Sequence, residues 1–133
     1  MRLVLKNSKL VFGKVSYVTL ADFRVGSLSF IENGNITYDT SYQNCATSSY
    51  IMQFDNDVVI STTKYEFCIW YKVNPNGEDS SPNYSRDGYD YSIADKKIPA
   101  GTKFVIVMRT GTDTSVVVDI EEVKRTIIGR EDL

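Results

Sequence analysis

The chain has 133 residues, with 15 lysines and arginines against 17 aspartates and glutamates and no histidine, for a formal net charge of −2. A chain of that length holds one domain with its own core. The slightly negative charge removes the cationic attraction behind non-specific nucleic-acid binding, and the missing histidine excludes Ser-His-Asp and histidine-zinc chemistry. Apolar residues at 42% and charged residues at 24% fit a folded soluble domain and do not fit a disordered one.

Strand-type alternation dominates, with β-branched and aromatic residues gathered in short runs between Gly, Asn, Asp and Ser. Residues 1–9, Met-Arg-Leu-Val-Leu-Lys-Asn-Ser-Lys, are broken by charge before an apolar segment forms and do not read as a secretory signal. They open a predicted hairpin, 2–6 and 9–12 about Asn7-Ser8, which sets Leu5 opposite Leu10 and Leu3 opposite Phe12. That apolar face needs a cover, so Leu3, Leu5, Leu10 and Phe12 are candidate interface residues. Further strands are predicted at 15–20, 27–31 and 36–39, the last two joined by a tight turn at Asn33-Gly34. Next come 49–54, a turn at Asp55-Asn56-Asp57, then 58–61 and 64–73. A long loop over 74–90, rich in Pro, Gly and Asn, precedes a weak strand at 91–93. The pattern closes with 103–109, a turn at 110–113, and 115–121.

A helix fits only near 17–23 or 121–127, and neither stretch has both a cap and an apolar stripe. Eight or nine strands at this rhythm predict an all-β, antiparallel β-sandwich of jelly-roll type with little helix. No run approaches the ~20 apolar residues of a membrane helix, so no membrane partner is expected.

Strand 64–73 is apolar on both faces, with Cys68 and Trp70 on one and Phe67, Ile69 and Tyr71 on the other. Trp70 is therefore either a core anchor between sheets or part of an interface covered by a second subunit. Cys45 and Cys68 lack metal or redox spacing and read as two buried thiols or one disulfide. Loop 83–91 combines Tyr84, Tyr89 and Tyr91 with Arg86, Asp87 and Asp90 around Gly88. Rigid aromatics beside adaptable polar groups are what binding loops use, which makes this a candidate glycan loop or else a solvated loop on the sandwich edge. Asp55, Asp57, Asp87 and Asp90 offer oxygens to calcium, but turn chemistry accounts for them and no metal is expected. Glu66, Glu121 and Glu122 are acids a glycosidase would need, yet the sequence does not pair them, so neither an enzyme nor a cofactor is expected.

Three segments together, Tyr42-Gln-Asn-Cys-Ala-Thr-Ser-Ser-Tyr-Ile51, Phe67-Cys-Ile-Trp-Tyr-Lys72 with Asn76-Gly77 behind it, and Ile98-Pro-Ala-Gly-Thr-Lys-Phe-Val105, resemble a jelly-roll module of fibre, decoration and receptor-binding proteins of tailed bacteriophages. That module is itself similar to carbohydrate-binding sandwiches. The resemblance spans residues 26–120, and the opening 3–12 is similar to segments that begin some virion proteins of gut phages. It implies a sandwich domain over 26–133 behind a docking segment at 1–25. The implied protein is a virion component, in a head decoration or head fibre or in a tail-associated fibre. It would be a homo-oligomer, dimer or trimer, that contacts other virion proteins and is made in the host cytoplasm. The alternative, from another class, is a glycan-binding module, a receptor-binding protein or surface adhesin, that takes a host-surface glycan on loop 83–91. A small β-sandwich hydrolase is a third.

Overall fold

The computed structural model describes residues 10–20, 22–62, 64–87, 95–113 and 116–127, with the backbone alone described at 10–20 and 124–127. The strands are β1 (Leu10–Leu20), β2 (Phe23–Val25), β3 (Ser27–Glu32), β4 (Asn35–Asp39), β5 (Cys45–Ser48), β6 (Asp57–Ser61), β7 (Glu66–Lys72), β8 (Tyr84–Arg86), β9 (Lys96–Ile98), β10 (Phe104–Arg109) and β11 (Val118–Ile127), with a short 3-10 turn at Ser81–Asn83. They form a four-stranded sheet in the order β9-β6-β11-β1, a five-stranded sheet in the order β2-β5-β10-β7-β8, and a separate β3-β4 hairpin. Leaving aside β2 and the hairpin, the remaining strands pair from the outside of the sequence inward. β1 pairs with β11, β5 with β10, β6 with β9 and β7 with β8, all antiparallel. This nested ribbon folds over so that β11 also meets β6 and β10 also meets β7, which is the winding of a jelly roll. The antiparallel all-β sandwich expected from the sequence is the fold observed.

Strand alternation fills the space between the two sheets. Val58 and Ile60 of β6, Ile98 of β9, and Val118 and Ile120 of β11 meet Ala46, Phe67, Ile69, Phe104, Ile106 and Met108 from the facing sheet in one buried cluster. Fully burying each of the larger side chains contributes roughly 1.5–3 kcal/mol.

The five-stranded sheet is apolar on its far face as well, and the chain supplies its own cover. The β3-β4 hairpin lays Leu28, Ile31 and Ile36 over Val105, Trp70 and Tyr84. Trp70 therefore stands between sheet and hairpin and not between the two sandwich sheets, and it remains partly exposed. The hairpin closes on Asn33 and Gly34, both at positive φ (50° and 80°), as a two-residue type I′ turn requires. At its base Gly26 has φ 122°, and a Cβ there would lie 3.0 Å from the Asp39 carbonyl oxygen. The Gly26 N–H donates to the Cys45 carbonyl at 2.9 Å, and its carbonyl accepts the buried Thr47 hydroxyl at 2.8 Å.

Several local expectations are corrected. The strand expected at 49–54 lies earlier, at Cys45–Ser48, and only a bridge from Met52 to Phe104 remains of the later stretch. Thr47 and Ser48 are buried with their hydroxyls bonded to backbone, Ser48 Oγ accepting the Ile106 N–H at 3.1 Å. The loop expected over 74–90 contains β8, and Lys-Lys-Ile before a proline forms β9, an edge strand where lysine is common. Of the stretches considered for helix, 17–20 lies in β1 and 121–127 in β11, because pairing with neighbours overrides weak local propensity. The strand expected at 115–121 runs on to Ile127. Strands 9–12 and 15–20 are one strand from Leu10 to Leu20, while residues 2–6 and 91–93 lie outside the described residues. β1 belongs to one sandwich sheet and β2 to the other.

Candidate functional site

The residues expected to form a glycan loop are divided by the fold. Tyr84 opens β8 opposite Lys72, and its ring is buried, 6% exposed, against Ile31 and Val105. Its hydroxyl has no hydrogen-bond partner among the described residues. Burial, with the Asp79 carboxylate adding to it, pushes the phenol up to about 12. Tyr84 is a packing residue, with no open face on which a sugar could stack. Arg86 is exposed opposite Trp70. Asp87 is paired with Lys96 at 3.1 Å, and its N–H donates to the Ile69 carbonyl at 2.7 Å, which ties the loop's start to β7. Tyr89, Asp90 and Tyr91 lie outside the described residues.

Of the expected interface residues, Leu3 and Leu5 also lie outside the described residues, and Leu10 and Phe12 sit in β1 in register with Ile127 and Arg125. Glu66 faces Arg109 in the five-stranded sheet at 3.9 Å, whereas Glu121 lies in the other sheet opposite Val59, so the fold does not pair these acids. Asp57 accepts the Ala100 N–H at 2.9 Å, a loop contact. Among the described residues no group of three His, Cys, Asp or Glu is arranged to hold a metal. No helix among them is long and apolar enough to cross a membrane.

The two cysteines are free. β10 lies between β5 and β7, so their Cα atoms are at least two strand spacings apart, roughly 9–10 Å, beyond the ~7 Å that a disulfide spans. Burial pushes the Cys68 thiol up to about 11 and raises Cys45 as well.

The feature that sequence reasoning missed is the junction of the hairpin tip with residues 73–83. Asp79 accepts two lysines, Lys72 at 2.7 Å and Lys103 at 2.9 Å. These cations, Lys103 first, hold its carboxyl below the usual carboxylate range. The Asp79 carbonyl takes the Gly34 N–H at 2.8 Å. The Ser81 and Ser80 hydroxyls take the N–H groups of Ile31 and Asn33 at 2.6 and 3.1 Å. This joinery floors an open groove of about 390 Å³ lined by Phe30, Glu32, Glu78, Ser80, Ser81 and Pro82. Each serine, having accepted an amide, still has its own proton to donate. The groove thus combines an aromatic side chain 42% exposed, two carboxylates and two hydroxyls. The paired serines before Pro82 were the only trace of it in the sequence, and they carry no motif.

Comparison with family models, with curated proteins and with solved structures finds no match.

Proposed function

We propose that this chain is a non-enzymatic structural component of a tailed-phage virion, a head decoration, head-fibre or tail-associated protein that works as a homo-oligomer. The observation that carries the reading is the β1/β11 ribbon. β11 pairs with β6 only at 119–123, while its pairing with β1 continues to Ile127, past a register shift between Val123 and Arg125. The last inward position before that shift is Glu122, opposite Val58, whose carboxylate accepts the Asn56 amide at 2.7 Å. Beyond this polar rim, among the described residues, β11 is paired with β1 alone, and two strands by themselves are marginal in water. An arm of this kind suits attachment to another chain. The jelly-roll winding adds a fold-level analogy with viral coat domains, alongside the resemblance of the three sequence segments. Mass spectrometry of purified particles tests the reading: peptides of this chain should copurify with the major coat protein in fixed ratio, and their absence from infectious particles would reject it.

The groove beside Phe30 favours a second reading, a glycan-binding module, because sugars stack on an aromatic face while carboxylates accept their hydroxyls. Specific binding on a glycan array that is lost in Phe30→Ala, with the circular dichroism unchanged, would support it. Binding lost in Arg86→Ala and kept in Phe30→Ala would return the site to loop 83–91.

A further inference from the structure

The sheet end beside Asp79 holds a second opening, which shares no lining residue with the groove at Phe30. Lys72 closes β7 and Lys103 stands one residue before β10, and the Lys72 N–H donates to the Lys103 carbonyl at 2.9 Å, so the two lysines are cross-strand neighbours. Like charges so placed repel. Asp79 meets them with one oxygen each, Oδ1 to Lys72 and Oδ2 to Lys103, and two ammonium groups against one carboxylate leave the trio with a net charge of +1. A shared carboxylate is a thin counterpart for Lys72, whose side chain is only 10% exposed, because a desolvated charge needs full pairing. The same two lysines line an opening of about 140 Å³ together with Gln53, Pro75, Gly101 and Thr102. That is room for a carboxylate or phosphate group with some of its water.

We propose that this opening binds a compact oxyanion, the carboxylate or phosphate group of a small ligand, between Lys72 and Lys103. Each ammonium carries three N–H donors and gives one to Asp79, so both can also donate to an anion in the opening. Gln53 and Thr102 add to them. The Gln53 amide donates one N–H to the Gly101 carbonyl at 2.9 Å, which fixes it against the turn where the Thr102 N–H meets the Pro99 carbonyl. Its second N–H and the Thr102 hydroxyl are further donors on the lining. Hydrogen bonds from charged donors to an oxyanion are roughly twice as strong as neutral ones, and a bound monoanion brings the net charge of the cluster to zero. The opening therefore selects for negative charge and not for the face of a sugar ring. This proposal and the assembly reading do not depend on each other.

Proton–nitrogen correlation spectra of the full chain test this, recorded at fixed ionic strength as sodium phosphate, acetate, glucuronate and, for a neutral control, glucose are added in turn. The expected result is saturable shifts at Gln53, Gly101, Thr102 and Lys103 with a Kd of about 1–10 mM for at least one anion, and no such shifts with glucose. Tightest binding of phosphate assigns a phosphate group, and glucuronate binding above acetate assigns a carboxylate borne on an acidic sugar; both outcomes support the proposal. Lys103→Gln should weaken binding at least about fivefold, whereas Lys97→Gln, the same loss of charge at an exposed position of β9, should change it less than about twofold. If Lys103→Gln fails to fold, Thr102→Val and Gln53→Ala replace it, each expected to weaken binding about threefold or more. No saturation by about 50 mM of any of the three anions overturns the proposal. So do equal shifts with glucose, binding unchanged in Lys103→Gln, or an equal loss in Lys97→Gln, which would reduce the effect to overall charge.

Discussion

Tyr84 carries a hydroxyl buried without a hydrogen bond among the described residues, and an orphaned polar group of this kind costs free energy that a methine in its place would not. Tyr84→Phe should leave stability in urea unchanged or raise it by up to about 1 kcal/mol; a larger loss would mean that the hydroxyl has a partner. The same substitution has a pH signature. Because the folded chain holds the phenol proton up to about 12 against a reference of 10.0, its contribution is complete below pH 10 and disappears as the pH rises from 10 towards 12. Tyr84→Phe should lose that share of the alkaline destabilisation. Cys68, raised from 9.0 to about 11, adds its own decline from pH 9 upward, which the Tyr84 variant should retain. Buried Cys68 should also react with an aromatic disulfide reagent far more slowly than half-buried Cys45 until denaturant is added. Equal native rates would contradict the packing described.

At the scale of the elements, the 73–83 connection is held down chiefly through Asp79. The Lys72 side chain is only 10% exposed and that of Asp79 26%, so removing the carboxylate strands a largely desolvated ammonium. Asp79→Asn should destabilise by roughly 1–3 kcal/mol in chemical denaturation, less than a fully buried pair because Asp79 and Lys103 keep contact with water. An effect within a few tenths of a kcal/mol would reduce the clamp to surface decoration. Since the folded carboxyl titrates below its reference of 3.8, the clamp contributes fully above about pH 4 and is lost as the pH falls through the depressed value. Acid should therefore loosen the hairpin tip, visible as faster amide exchange at Ile31, Asn33 and Gly34, whose N–H groups are bonded to this connection.

For the whole molecule, the nested winding has a kinetic consequence. Leu10 pairs with Ile127 and Cys45 with Arg109, so most native pairs close long loops before any gain is returned. Refolding followed by the fluorescence of the single tryptophan, Trp70, should take milliseconds to seconds, as for other sandwiches rich in non-local pairing. Microsecond refolding would be incompatible with this topology. Trp70 is a useful reporter because the hairpin that covers it lies outside the nested ribbon, so its signal reads the hairpin docking on the finished sheet.

Alternation and turn chemistry are local, and what depended on them was legible in the sequence: the all-β class, the Asn33-Gly34 hairpin, the apolar strand around Phe67 and Ile69, and the strand after Pro99. The amphipathic period that marks a strand says nothing about which strand becomes its neighbour. Pairing alone explains why Thr47 and Ser48 are buried, why Lys96–Ile98 is a strand, and why β1 and β2 enter different sheets. The covered face of Trp70 was visible as an apolar excess, but its cover came from a hairpin some 40 residues earlier in the chain. Tyr84 looked like a binding residue because composition places tyrosine beside Arg and Asp in a loop, whereas register with Lys72 puts its ring on the sheet face that the β3-β4 hairpin covers. Ile31, Lys72, Asp79, Ser81 and Lys103 converge only because the hairpin is laid across the sheet. Contacts between residues this far apart in sequence leave no periodic trace, so the tertiary structure alone decides them.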